Sequence, residues 1–207
     1  MGWQSWWLFV GAVFLLSGTP GPNMLHVMRQ SIAVGFVRAT ATMAGCLLAI
    51  VLVLSASAAG LSALLIAWPR LFDAIRYAGV AYLFYLGVKA WRSSGASPAA
   101  LDPLSPAVGR WSLFRGGLLI GLTNPKLILF AAAFLPQFID PVRPQVPQFA
   151  ILVATFAVIE SGWYAAYGLG GRQLARYLAT PARQRLFDRL TGTLFIGFGT
   201  ALLAARA

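Results

Sequence analysis

Apolar stretches long enough to cross a lipid bilayer recur along this chain, and they restrict its fold more than any other feature. A spanning helix needs roughly 20 mostly apolar residues. Six stretches approach that length, at residues 6–28, 40–67, 72–91, 114–138, 148–170 and 187–205. Hydrophobic residues make up 59% of the 207 residues and charged residues only 10%, which exceeds what a water-soluble fold of this size buries. The sequence therefore predicts an all-α integral membrane protein.

The six stretches divide into two sets of three around a Ser/Pro/Ala-rich connector. We predict a first three-helix repeat over residues 1–92, a cytoplasmic connector over 93–111 and a second three-helix repeat over 112–207. The last stretch is the weakest of the six, because Asp188 and Arg189 intrude on it. Five transmembrane helices is the alternative count.

The strong positive charge of the chain is explained by the Lys and Arg residues of its predicted cytoplasmic loops. The net charge is +11, and most of the 16 Lys and Arg residues fall in loops that lie on one side if the N-terminus is outside. Basic loops stay on the cytoplasmic side of a membrane. We therefore expect a multi-pass protein of the bacterial inner membrane, with both termini outside and lipid rather than nucleic acid around it.

Two matched interruptions are the strongest functional signal. The first stretch contains Gly18–Asn23, and the fourth contains Gly121–Lys126, about half the chain length later. Proline removes a helical hydrogen bond and clashes with the preceding turn. Irregular backbone is tolerated at membrane depth only when it packs in protein or lines a wet cavity. The pattern favours a binding site, and the alternative is a pair of proline kinks that serve helix packing.

Two repeats of three spans each must lie inverted relative to one another, which is the plan of many secondary transporters. We expect the broken helices 1 and 4 to meet near the midplane. Their second halves, beginning near Met24 and Leu127, would present helix N-termini to a substrate carboxylate, while freed carbonyls would face its ammonium group. The predicted substrate-binding residues are Thr19, Pro20, Gly21, Pro22, Asn23, Thr123, Asn124, Pro125 and Lys126.

Two ionisable residues fall well inside the predicted spans, Lys126 and Glu160. Each costs about 2.5–3.5 kcal/mol at the bilayer centre, so a function is expected for it. Glu160 shares a helical face with Trp163, Tyr164 and Tyr167, and we predict that it carries a coupling proton. A static pair of Glu160 with Lys126 that orders the bundle is the alternative. Lys126 itself either attracts the substrate carboxylate or extends to an interface.

Three sequence signatures in order resemble the LysE/RhtB family of amino-acid exporters. They are Thr19-Pro20-Gly21-Pro22-Asn23, the helix-3 stretch 78–87, and Asn124-Pro125-Lys126 followed by 130–138. The resemblance implies export of amino acids such as threonine, homoserine, lysine or leucine, driven by the proton gradient. Many members carry an acidic residue one turn after the glycine matched by Gly45, whereas Leu47–Leu54 is wholly apolar here. That difference counts against a cationic substrate such as lysine.

Other functions have less support. The sequence shows no metal-ligand cluster, no Ser/His/Asp set and no phosphate loop, so we expect neither an enzyme nor a cofactor. Cys46 is the single cysteine, which argues against a thiolate metal site. A membrane channel, or an exporter of another small solute, remains the alternative. Homodimer formation is left open by the sequence.

Overall fold

The computed structural model describes residues 1–67, 108–140, 142–178 and 180–204, and in addition residues 77, 80, 81, 84, 85, 87–89, 91 and 92. The predicted third stretch, 72–91, and the connector, 93–111, lie mostly outside the described residues. The described part is built of helices, as the sequence predicts.

The first predicted stretch is a broken helix. Helix α1 covers Trp3–Gly18 and helix α2 covers Pro22–Val34, and their axes differ by 51°. Thr19 and Gly21 between them have extended backbone. Helix α2 begins at Pro22, two residues before the predicted start at Met24, because proline is well suited to the first position of a helix.

The second break has the same form. Helix α4 covers Arg110–Leu122 and helix α5 covers Pro125–Leu129. The chain continues as a π-helix at Phe130–Phe134 and a 3₁₀ turn at Leu135–Phe138. The bend between α4 and the segment Pro125–Phe138 is 50°. Here too the second half begins two residues earlier than predicted, at a proline in the first helical position.

Three further helices complete the described fold. They are α3 at Phe36–Ala67, α6 at Gln145–Leu178 and α7 at Pro181–Ala204. Among the described residues, α3 and α6 are long and apolar enough to cross a membrane, and the count of candidate spans rises to four if each bent pair is one span. Helix α7 matches the weak sixth stretch in position, and Arg183, Arg185, Asp188 and Arg189 lie in its first turns.

Helices α3 and α4 touch backbone to backbone along a glycine seam, which we define as Gly45, Gly117 and Gly121. A Cβ atom added to Gly45 would lie 2.1 Å from the carbonyl oxygen of Phe114, and one added to Gly117 would lie 2.2 Å from that of Thr42. The Cys46 thiol donates to the Gly117 carbonyl at 3.4 Å. Small residues permit this close approach between membrane helices, and the seam joins a helix of each predicted repeat.

Candidate functional site

The carbonyl groups that end helix α1 need partners, because the last four of a helix have none within it. Thr19 supplies two donors to the Leu16 carbonyl, its N–H at 3.2 Å and its hydroxyl at 2.7 Å. The Tyr167 hydroxyl, from helix α6, donates to the Gly18 carbonyl at 2.8 Å. Residues outside α1 therefore complete this helix end at the break.

Lys126 supplies further donors to this helix end from the other break. Its ammonium group donates to the carbonyl oxygens of Leu16 and Thr19 at 3.1 Å, and to the Thr19 hydroxyl at 2.6 Å. A cation at a helix C-terminus also interacts favourably with the helix dipole. An ammonium group has three protons, so these three contacts use all of them. Lys126 thus ties the second break to the first.

The helices that begin at the two breaks are capped differently. The Asn124 side-chain oxygen accepts from the Lys126 backbone N–H at 3.0 Å and so caps α5. Helix α2 begins after Gly21, which has no side chain to cap it. Since Pro22 lacks an N–H, Asn23 and Met24 carry the uncapped amides. The N-terminus of α2 therefore retains two backbone donors, and that of α5 retains one, the amide of Leu127.

The predicted polar and aromatic face of helix α6 lies against the first break. Trp163 donates its indole N–H to the Phe14 carbonyl at 3.0 Å. The Tyr164 hydroxyl accepts from the Asn23 side-chain nitrogen at 3.1 Å. Gly18 makes the contact with Trp163 feasible, since a Cβ at Gly18 would lie 2.7 Å from the indole ring.

Glu160 is buried on the same face, with only 6% of its surface exposed. Its carboxyl group lies beside the Ser17 and Tyr164 hydroxyls and interacts electrostatically with Lys126. The ammonium group of Lys126 bonds to α1 and Thr19 instead of to Glu160. Among the described residues, the ion pairs within 4 Å are those of Asp140 with Arg143 and with the terminal amine, so the static Glu160–Lys126 pair is not formed as a direct contact.

A small cavity lies between the two breaks and α6. Its volume is about 20 Å³, room for about one water molecule and too little for an amino acid. Its lining combines residues of both breaks with Glu160: Leu16, Ser17, Gly21, Asn23, Met24, Asn124, Lys126, Leu127, Phe156 and Glu160. Two buried polar atoms of this lining, Ser17 Oγ and Asn23 Oδ1, complete no hydrogen bond.

The structure brings four of the nine predicted binding residues to this cavity and places four others in or beside the two breaks. Four of them line it, Gly21, Asn23, Asn124 and Lys126. Others support it: Thr19 binds Lys126, Pro20 lies within the first break, and Pro22 and Pro125 begin the two half-helices. Thr123 is placed elsewhere, because it is exposed and its hydroxyl donates back to the Leu119 carbonyl at 2.8 Å.

A membrane bundle with two broken helices around a buried polar cavity is matched by one family model. The model of the LysE type translocator matches residues 3–206, nearly the whole chain. The chain belongs to the LysE type translocator family. This is a family of translocators and efflux proteins, not a family of enzymes, and the LysE/RhtB resemblance in the sequence is confirmed.

Named relatives of this LysE type chain agree with the assignment. It is 32% identical to the homoserine/homoserine lactone efflux protein of Salmonella typhimurium, over 100% of this chain and 99% of the relative. It is 32% identical to the leucine efflux protein of the same organism, over 95% of this chain and 93% of the relative. An uncharacterized membrane protein of Vibrio cholerae is 30% identical over 98% of both chains. No solved structure matches the chain.

Ser17 is a polar residue of the cavity that the sequence did not indicate. It lies on helix α1 immediately before Gly18, in an otherwise apolar run, and it is 3% exposed. A serine within a membrane helix most often bonds to its own backbone, so its identity alone carries little information. Its importance follows from Glu160, which approaches it from helix α6.

Proposed function

We propose that this chain is a secondary active transporter that exports small amino acids across the inner membrane of a bacterial cell. The observation that carries the proposal is the convergence of both broken helices and Glu160 on one buried polar cavity. Polar groups at membrane depth are retained where a substrate or ion passes. The relatives named for homoserine and leucine efflux support an amino-acid cargo.

The cavity in this conformation has room for about one water molecule, so transport requires it to widen. We propose that the nine residues of the two breaks form the substrate site, with Thr19, Pro20, Pro22, Thr123 and Pro125 acting through the shape of the backbone. The uncapped amides of Asn23 and Met24 suit an anionic substrate group. A site between two halves that open alternately to either side is the usual arrangement in such carriers.

We propose six transmembrane helices arranged as two inverted repeats, residues 1–92 and 112–207, with both termini outside and the connector inside. Contacts between the two proposed repeats support this plan. The first break meets the second where a Cβ at Gly21 would lie 3.3 Å from the Lys126 side chain. Gly87 of the first repeat faces Gly192 of the second, and each added Cβ would lie within 3 Å of the other residue's carbonyl oxygen.

Glu160 is the residue that we propose to couple export to the proton gradient. It is buried among the charged and titratable groups Lys126, Tyr164, Tyr167 and Cys46, and a carboxyl group at membrane depth is the usual proton carrier of pumps and transporters. We expect Glu160→Gln to abolish the dependence of efflux on the proton gradient. Uncoupler-sensitive efflux by Glu160→Gln, at the wild-type rate, would remove Glu160 from this role.

The test of the proposed function is amino-acid efflux from bacterial cells loaded with dipeptides. Cells with this protein, with an empty vector and with Asn23→Ala/Asn124→Ala are compared, with and without an uncoupler. Ser161→Ala is the matched control, because Ser161 is exposed on the same helix as Glu160 and its hydroxyl bonds to the Ala157 carbonyl.

We expect faster, uncoupler-sensitive release of homoserine, leucine or both, lost in the double variant and kept in Ser161→Ala. Equal release with the protein and with the empty vector, for every amino acid, would contradict the proposal. Release that is fast but neither saturable nor sensitive to the uncoupler would identify a channel instead.

A further inference from the structure

We infer that the site recognises its substrate through a primary ammonium group, held by Ser17, Asn23 and Glu160, and that a substrate carboxylate is dispensable. The inference rests on the proposed function and specifies which end of the substrate the site binds. It differs from the expectation that helix N-termini and Lys126 select a carboxylate.

The cavity offers an ammonium group three acceptors. Ser17 Oγ and Asn23 Oδ1 are both buried without a hydrogen bond, with residue exposures of 3% and 4%, and the Glu160 carboxyl group is buried beside Ser17. An ammonium group has three N–H donors and no acceptor. A buried polar atom without a partner costs about 1–3 kcal/mol, so a ligand that bonds to Ser17 Oγ and Asn23 Oδ1 removes a cost that the protein alone bears.

The orientation of Asn23 is fixed by its neighbour. Its side-chain nitrogen donates to the Tyr164 hydroxyl at 3.1 Å, and that hydroxyl also faces the Glu160 carboxyl group. A hydroxyl whose proton points toward a carboxylate must accept from Asn23. The amide oxygen of Asn23 is therefore the atom left over for a ligand.

The cationic group that would attract a carboxylate is occupied. All three protons of the Lys126 ammonium group are used on Leu16 and Thr19. The Asn124 oxygen is used as the cap of helix α5. The amides of Asn23 and Met24 remain, but they carry only the partial charge of a helix N-terminus. The charge that is free to select a ligand is thus that of Glu160 in its deprotonated form.

The experiment is competition for binding to the purified full-length protein in detergent, with labelled leucine and labelled homoserine as probes. Leucinamide keeps the ammonium group and lacks the carboxylate. N-acetylleucine keeps the carboxylate and lacks the ammonium group. We expect leucinamide to compete within about tenfold of leucine. N-acetylleucine should be weaker by about a hundredfold or more, because it leaves the buried Glu160 charge without a partner.

Three variants distinguish a loss of ligand recognition from a failure to fold. Ser17→Ala removes one acceptor with little change in volume, and we expect it to weaken leucine and leucinamide equally, by about tenfold. Ser161→Ala should leave both unchanged. Glu160→Gln should weaken both further, and Ser17→Ala keeps the inference testable if Glu160→Gln fails to fold.

Three outcomes would overturn the inference while leaving amino-acid export intact. The first is competition by N-acetylleucine within tenfold of leucine. The second is leucinamide binding weaker than leucine by about a hundredfold, and the third is a Ser17→Ala effect confined to leucine. Absence of binding by either labelled amino acid, together with absence of efflux, would instead reject the proposed function.

Discussion

Replacing Lys126 by methionine tests whether this lysine stabilises the fold by completing helix α1 from the opposite break. Methionine keeps the length of the side chain and removes its donors. The variant leaves the Thr19 carbonyl and the Leu16 carbonyl without the ammonium group, and it frees the Thr19 hydroxyl oxygen. The Thr19 N–H and hydroxyl still serve Leu16.

The magnitude follows from the three contacts. Hydrogen bonds to a charged group contribute about 1.5–3 kcal/mol each, and removing a charge from membrane depth recovers about 2.5–3.5 kcal/mol. For three contacts the difference lies between about 1 and 6.5 kcal/mol. Because Lys126 is partly exposed, we expect the lower half of this range, roughly 3 kcal/mol.

The free energy of unfolding can be measured by titration with SDS in mixed micelles, followed by circular dichroism. Lys89→Met is the control, because Lys89 is exposed and should change stability by less than about 0.5 kcal/mol. In a double-mutant cycle with Thr19→Val, we expect a coupling energy of about 1 kcal/mol or more. Equal stability of Lys126→Met, Lys89→Met and the wild type, or zero coupling with Thr19, would refute the reasoning.

Three further changes act on stability through single contacts. Gly117→Ala should cost about 1–3 kcal/mol, because its Cβ would lie 2.2 Å from the Thr42 carbonyl oxygen. Tyr167→Phe should cost about 1–2 kcal/mol, since it leaves the Gly18 carbonyl without its donor. Asn124→Ala should cost about 1 kcal/mol by removing the cap of helix α5.

These three predictions use the same SDS titration. For Gly117→Ala the control is Gly162→Ala, where an added Cβ meets nothing within 4 Å, and equal effects of the two changes would contradict the close contact. A Tyr167→Phe variant as stable as the wild type would mean that the Gly18 carbonyl accepts a hydrogen bond from another donor. An Asn124→Ala variant as stable as the wild type would show that the cap contributes nothing to stability.

The breaks could be read from the sequence because proline acts locally. Both helices end before their proline motif and restart at Pro22 and Pro125, whatever packs around them. The face of helix α6 was predictable for a similar reason, since the spacing of Glu160, Tyr164 and Tyr167 follows from the helical period alone. Local rules thus predicted which elements form the candidate site.

The contacts of the site depended on how the helices pack. The sequence suggested Lys126 as a partner of the substrate or of Glu160, but it could not show that the end of α1 lies within reach of the ammonium group. Ser17 became a cavity residue only because helix α6 places Glu160 beside it. Thr123 matched the motif and yet points back along its own helix. These outcomes depend on rotations of helices about their axes, which periodicity does not determine.

The glycine seam has a mechanical consequence for any motion that widens the cavity. At Gly45 and Gly117 the backbones of α3 and α4 are too close for a methyl group, and surfaces that interlock at this distance cannot slide without collision. We therefore expect α3 and α4 to move as a single rigid body. The displacement that admits a substrate must then fall to α1, α2 and α6. Helices α2 and α6 meet that body through side chains such as His26 and Met43, which can change rotamer.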